Sequence, residues 1–268
     1  MGRIGRSFQL VRLSYRVLMH DKELMVLPLL AGIAIAATVA LVGFGSGLAT
    51  SREPFGPSAY VPLFFMYVVA YTIGIFFQAA VIAGAVERMR GGDPTIGSAL
   101  SAAARRAGPI VMWAIVAATV GVILQAIRDR LGFVGRIVTG VIGAAWSLAT
   151  FFVVPVLVFE DRTVRQAVPR SVDMFKRTWG ETVVGGTTLG AATICAWLTL
   201  VALTGLLAWV AGSVALAFFA VGAVVLMVFF TALQGIYVAS LYQYATGGRG
   251  PGGFDDAVLR AAFVPKRR

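Results

Sequence analysis

Chemistry in this chain would have to come from the few polar residues that interrupt its apolar stretches. These are Gln78, Gln125 and Gln234, with Tyr71, Thr119, Thr150 and Thr193. Amides and hydroxyls of this kind can line a path for a polar solute. They can also hydrogen-bond one helix to another, at ~1 kcal/mol or less per bond. Nothing groups them along the sequence, which favours interhelical bonding. A polar lining formed by Gln78, Gln125 and Gln234 is the alternative. A second set is basic: Arg165, Arg170, Lys176 and Arg177, with Trp179 close by. Beside an anionic leaflet each cation is worth ~1 kcal/mol, and tryptophan prefers headgroup level. These five are candidate contacts for anionic lipid, against a baseline of ordinary topological anchoring.

Other chemistries lack their parts. The apolar stretches carry no Asp, Glu, Lys, Arg or His at mid-depth, and Glu23, Glu87, Glu160, Asp161 and Glu181 stand at their ends. Proton relays and coupled pumps use ionisable groups inside the membrane, so coupling to a proton or sodium gradient is not expected. The single histidine, His20, lies at an edge beside Asp21 and Lys22 and reads as solvated. The single cysteine, Cys195, lies in an apolar run, which leaves neither an internal disulfide nor metal spacing. Gly91-Gly92-Asp93-Pro94 reads as a turn and a helix cap, and Phe44-Gly45-Ser46-Gly47 lacks the strand–helix context of a dinucleotide loop. The expectation is therefore no catalytic residue, no metal, no cofactor and no enzymatic activity.

The elements that carry these residues are membrane spans. Of 268 residues 59% are hydrophobic and only 13% charged, half the ~25% charged of a soluble domain; the mean hydropathy is +0.85. Six runs reach the ~20 apolar residues that a ~30 Å hydrocarbon core requires: 24–49, 60–86, 108–127, 137–159, 182–204 and 214–242. The first run is too long for the core of a cleaved leader and reads as a span. With the N-terminus inside, nineteen Lys and Arg fall on the cytoplasmic side and four, Arg52, Arg128, Arg130 and Arg136, outside. That bias places both termini in the cytoplasm. The net charge of +11 belongs to these short loops and does not point to nucleic acid.

The segments between spans read as amphipathic helices lying along the membrane, near 5–20, 94–107 and 163–179. The first has a stripe of Phe8, Val11, Tyr15 and Leu18; the second starts at Asp93-Pro94, with Ile96, Leu100 and Ala103. The third has Val164, Val168, Val172, Phe175 and Trp179, a Thr163/Gln166 capping box, and Pro169, which should kink it or end its first turn. The pattern suggests three helix-plus-hairpin units within a membrane domain 1–246, or three hairpins made alike by the bilayer alone. A basic tail with a short helix occupies 247–268. Pro155 should kink the fourth span. The small-residue pairs Gly43–Gly47, Gly140–Ala144 and Gly186–Gly190 read as close helix packing within the monomer, with a dimer face as the alternative.

Four phrases carry a resemblance. Asp21-Lys22-Glu23-Leu24 enters the first span and Glu87-Arg88-Met89-Arg90-Gly91-Gly92-Asp93-Pro94-Thr95 follows the second. Phe151-Phe152-Val153-Val154-Pro155-Val156-Leu157-Val158-Phe159-Glu160 ends the fourth, and Arg177-Thr178-Trp179-Gly180-Glu181 opens the fifth. In combination, from Arg6 to the sixth span, they resemble the domain-of-unknown-function 6159 family of prokaryotic multi-span membrane proteins. The resemblance implies an integral membrane protein and supplies no activity, substrate or catalytic residue. Where members of that family have Asn before the paired small residues of the second span, this chain has Gln78.

The sequence thus points to an all-α, six-span protein of the prokaryotic cytoplasmic membrane. The function expected is that of a non-enzymatic assembly or lipid-interacting scaffold component. Its partners would be anionic membrane lipids, another membrane protein or a second copy of itself. The alternative is an uncoupled transporter or channel for a small or amphipathic molecule.

Overall fold

The computed structural model describes residues 3–47 and 60–247. The expected tail helix, Arg52 and the side chain of Phe8 lie outside the described residues. Among those described there are eight α-helices, one 3₁₀ turn and no strand. The helices are α1 (Arg3–His20), α2 (Val26–Gly45), α3 (Tyr60–Met89), α4 (Ile96–Ala104), α5 (Ala107–Thr150), α6 (Val153–Phe159), α7 (Val164–Ala211) and α8 (Val214–Gly247). Five stretches are long and apolar enough to cross a membrane: Lys22–Gly45, Val61–Met89, Ala107–Phe159, Val164–Trp209 and Val214–Gly247. The fold is an all-α membrane fold.

The third stretch has 53 residues. Straight, it would measure ~80 Å, far beyond the hydrocarbon core. It turns back at Gly132, whose φ of 55° and ψ of −127° suit only a residue without a Cβ. The rings of Trp113 and Trp146 stack 5.8 Å apart, where a straight helix would separate them by ~50 Å. A Cβ on Gly143 would lie 3.9 Å from Leu124. Residues 107–131 and 133–159 are therefore two antiparallel legs. The sequence predicts a loop over 128–136; one glycine makes that turn, and Arg128, Arg130 and Arg136 remain helical.

Proline sets two further breaks. Its ring excludes the carbonyl four residues earlier and it has no N–H to donate. Pro109 faces Arg105 in this way, and α4 gives way to α5 at Arg105–Arg106; Pro155 faces Phe151, and α5 gives way to α6 at Phe151–Phe152. The kink expected at Pro155 is thus a break one turn upstream. The Phe152 N–H donates instead to Ser171 Oγ at 2.9 Å.

The described chain forms two compact units. The first comprises Met1–Leu29, Val81–Ala99 and Arg177–Arg268, within which only the described residues are discussed. Here α1 packs on α8. The buried face of α1 is Leu10, Leu13, Ser14, Val17 and Leu18, whereas Tyr15 is half exposed. The apolar stripe expected for a membrane-lying helix is therefore displaced around the helix, because α1 buries its face against α8. Every residue from Val81 to Val86 and from Gly235 to Tyr242 is buried, as in a helix enclosed on all sides. The backbones approach closely there: a Cβ on Gly235 would lie 2.7 Å from Val81 Cγ1.

The second unit comprises Leu30–Ala80 and Leu100–Lys176. Its core joins Ile110, Trp113, Ala114, Ala117 and Ala118 of α5, the continuous run Phe152–Val158, and Ala167, Ser171 and Met174 of α7. The expected helix over 163–179 is not separate. It is the first part of α7, 48 residues long, which continues through Pro169. The Thr163/Gln166 cap is present: the Thr163 N–H donates to Gln166 Oε1 at 3.1 Å. Helix α4 has a similar cap. Thr95 N–H donates to Ser98 Oγ and Ser98 N–H to Thr95 Oγ1, each at 3.0 Å. Thr95, not Asp93, is therefore the cap residue of that helix.

The three small-residue pairs do not act as expected. A Cβ on Gly43, Gly140, Gly186 or Gly190 would meet nothing within 4 Å. Large apolar side chains cover the outside of the long helices instead, among them Leu41, Phe44, Phe133, Leu206, Leu216 and Trp209, the last 94% exposed. That distribution fits lipid as the surrounding solvent.

Candidate functional site

The most enclosed ion pair among the described residues lies in the first unit, where α1, α3 and the turn after α3 meet. Helix α1 stops at Asp21, whose N–H still donates to Val17 O at 2.9 Å. Helix α3 stops through a glycine cap. Gly91 has φ 86°, its N–H donates to Arg88 O, and the Gly92 N–H donates to Glu87 O; this is the paired-bond C-terminal motif that only a left-handed residue completes. The reversal returns Asp93 to the end of α3. The Arg88 guanidinium donates from Nε and Nη2 to both oxygens of Asp21, and from Nη2 to Asp93 Oδ1 at 2.6 Å.

The Arg88 side chain is 4% exposed and that of Asp21 3%, whereas Asp93 is 54% exposed. A planar fork across a carboxylate is the strongest common geometry for an ion pair. Ser98 Oγ donates to Glu87 Oε2 at 2.9 Å and ties the start of α4 to α3. Asp21, Arg88 and Asp93 all stand in two of the phrases that carry the family resemblance. Composition and spacing assign Arg88 only to the basic loop. The signal that could have found it is a charge two residues beyond the run Val81–Val86, on a helix end with no polar face.

The candidate lipid contacts lie along α7 and divide into two faces. At ~100° per residue, Arg165, Lys176 and Trp179 share one side, with Trp179 53% exposed. Arg170 and Arg177 lie about a third of a turn further round. Arg170 is engaged: its Nε donates to Glu160 Oε1 at 3.0 Å, and Glu160 also accepts from Arg162 Nε at 2.6 Å. The set is not one cluster.

Within the second unit the candidate lining residues Gln78 and Gln125 are not brought together either. Gln78 borders an open groove of about 400 Å³ in the second unit, formed with Ile35, Tyr67, Ala70, Tyr71, Gly74 and Ile75; the rings of Tyr67 and Tyr71 stack there at 5.7 Å. Gln125 is absent from that lining and is bonded within its own helix, donating from Nε2 to Asp129 Oδ1 at 3.0 Å and accepting from Arg128. Gln234 is exposed on α8, in the first unit. Nor do the threonines join helices as expected. Thr119, Thr150 and Thr193 each donate to the carbonyl four residues earlier, at 2.8 Å. In hydrocarbon this is the nearest acceptor for a hydroxyl, and it leaves no polar face.

What does join helices is a different set. Tyr237 Oη donates to Glu181 O at 2.7 Å, Ser171 Oγ accepts from Phe152 N–H, and Ser14 and Ser240 approach to 3.5 Å. Arg106 Nη1 donates to Asp161 Oδ1 at 2.6 Å.

Residues 58–253 match the model of a family of unknown function (DUF6159). The match spans most of the chain, which therefore belongs to that family. It includes Arg88 and Asp93 and begins downstream of Asp21. No curated protein matches the chain.

Proposed function

We propose that this protein is a non-enzymatic component of a prokaryotic cytoplasmic membrane, a lipid-interacting scaffold that crosses the bilayer six times with both termini in the cytoplasm. The observation that carries this reading is where the polar groups are spent. In the described helices the buried ones, Gln243 Nε2 excepted, are used on helix–helix clasps or on their own backbone, while large apolar side chains face outward. Counting the two legs of the 107–159 stretch separately supports six crossings. The Asp21–Arg88 pair supports the topology, since it joins the start of one span to the end of the next on a single side. That side is also the one that the nineteen-to-four charge bias assigns to the cytoplasm.

The exposed cations and Trp179 of α7 are the proposed contacts for anionic lipid at that surface. A second copy or another membrane protein is the alternative cover for the exposed small-residue faces. The groove bounded by Gln78, Tyr67 and Tyr71 favours one competing reading, an uncoupled conduit for a small or amphipathic molecule.

The test is what accompanies the protein out of the membrane. Extraction into polymer-bounded native discs should yield particles enriched in anionic phospholipid over the bulk membrane, or a partner in fixed stoichiometry. Bulk lipid composition, no partner, and solute flux in proteoliposomes that Gln78→Ala abolishes would overturn the scaffold in favour of the conduit.

A further inference from the structure

We propose that the corner between α4 and α5 holds the phosphate of an anionic phospholipid. Arg105 and Arg106 line an open cavity of about 460 Å³ there, with Ala102, Val158 and Phe159. The inference rests on the lipid-interacting reading above and assigns it a site on different residues from those of α7.

The corner exists because Pro109 cannot continue α4 past Arg105. The break leaves two consecutive arginines at the mouth of one cavity. Their two charges are only partly matched by the protein. Arg106 is held by Asp161, but Asp161 is 91% exposed and bonds only the Nη1 end of a five-donor guanidinium. Arg105 is exposed, and its described bond is a long one, 3.4 Å, to the neutral Ser101 Oγ. The corner thus presents a net positive charge with donors to spare. Arg106 is also the N-cap of α5 and makes no side-chain cap bond, so the first N–H groups of a long helix lie beside the same arginines, which adds to the preference for an anion.

The remaining wall decides what kind of anion. Val158 and Phe159 end α6, and with Ala102 they make the rest of the lining apolar. A free phosphate would bond the arginines and leave that wall wet. A zwitterionic headgroup would bring its own cation to a site already in excess of positive charge. A phosphodiester carrying acyl chains satisfies both halves: the phosphate against Arg105 and Arg106, the glycerol and upper chain against Val158 and Phe159. The charge bias puts this corner on the cytoplasmic side, at the level of the headgroups.

The full chain, purified in a neutral detergent, is titrated with dioleoylphosphatidylglycerol, dioleoylphosphatidylcholine and inorganic phosphate; bound lipid is counted by native mass spectrometry and thermal midpoints are followed. Wild type should prefer phosphatidylglycerol, and Arg105→Gln should weaken that binding about fivefold. Arg105→Gln should leave the lipid-free midpoint unchanged, since the side chain is exposed. Ala102→Trp, which fills the cavity and keeps both charges, should weaken binding as well. Arg12→Gln, which removes an exposed cation from α1, is the control and should not.

Loss of binding in Arg12→Gln equal to that in Arg105→Gln would make the effect one of general charge and overturn the site. Undiminished preference in both Arg105→Gln and Ala102→Trp would place the lipid elsewhere, overturning the site and sparing the scaffold reading. Stabilisation by inorganic phosphate equal to that by phosphatidylglycerol would overturn the lipid as occupant. A wild type that does not distinguish phosphatidylglycerol from phosphatidylcholine would overturn both the site and the lipid-binding reading beneath it.

Discussion

Replacing Asp21 with asparagine keeps the shape of the side chain and removes its charge, leaving the Arg88 guanidinium inside the first unit with only Asp93 as a charged partner. Both Arg88 and Asp21 are almost fully enclosed, at 4% and 3% exposure of their side chains. Breaking a buried pair from one side costs ~3–5 kcal/mol, because the remaining charge has lost both water and partner. Asp93 still holds Nη2, so the expected loss for Asp21→Asn is at the lower end, ~3 kcal/mol. Asp93 is 54% exposed, and a half-solvated pair contributes ~0.2–1 kcal/mol; Asp93→Asn should therefore cost several times less. Arg88→Met leaves Asp21 buried and unpaired and should cost at least as much as Asp21→Asn. The combined Asp21→Leu/Arg88→Met variant removes both charges and should recover most of the loss, since well-packed apolar pairs often match buried ion pairs. Equilibrium unfolding in mixed micelles, followed by tryptophan fluorescence, gives the four values. The reasoning fails if Asp21→Asn costs no more than Asp93→Asn, or if the double variant is as unstable as the sum of its single changes.

Three further outcomes follow from particular geometries. Gly132→Ala should destabilise the 107–159 hairpin by ~1–3 kcal/mol, because φ 55° with ψ −127° is glycine backbone; the same unfolding assay reads it, and a loss under 0.5 kcal/mol would count against the sharp turn. Gly185→Ala should be strongly destabilising, since its Cβ would collide with Tyr237 Oη and break the bond to Glu181 O, whereas Gly186→Ala, which meets nothing within 4 Å, should be neutral; equal melting temperatures would refute the close approach. In a variant lacking Cys195, cysteines introduced at positions 105 and 170 should react with an impermeant maleimide only from the cytoplasmic side, and one at position 130 only from the opposite side; the reverse pattern would sink the topology.

The all-α membrane class was legible because hydrocarbon demands long apolar runs whatever lies inside the protein. Boundaries were less legible where one residue decides them. Gly132 ends a helix by dihedral freedom that no hydropathy window registers, and the loop expected over 128–136 disappears. The apolar stripes read on α1 and α7 do not coincide with the faces that those helices bury in protein, for a related reason. Periodicity finds the apolar face of a helix but does not say whether protein or lipid covers it. On α7 the buried positions are Ala167, Ser171, Met174 and Thr178, while Trp179 of the apolar stripe is exposed. In lipid the apolar face can point outward, because acyl chains solvate it and small residues let backbones approach. The clasp of Asp21, Arg88 and Asp93 was missed because its members are distant in sequence and each sits where a loop charge is expected anyway.

The polar clasps also say which part of each unit is specified by the protein itself. In the first unit Asp21–Arg88, Ser14–Ser240 and Tyr237–Glu181 lie toward the ends of the spans assigned to the cytoplasm. In the second, Arg170–Glu160, Arg106–Asp161 and Ser171–Phe152 do the same. The runs that are buried on every side adjoin or contain members of these bonds: Val81–Val86 and Gly235–Tyr242 in the first unit, Phe152–Val158 in the second. Away from these bonds each unit turns on glycine, the first at Gly212 near exposed Leu206 and Trp209, the second at Gly132 beside exposed Phe133 and Val134. Within each unit, directional bonds fix register at the clasped helix ends, and nondirectional contact suffices around the glycine turn. A cation at the specified ends therefore bears on whichever lipid or protein is recognised there, whereas an apolar substitution near Gly132 or Gly212 bears only on how well the helix ends suit the bilayer.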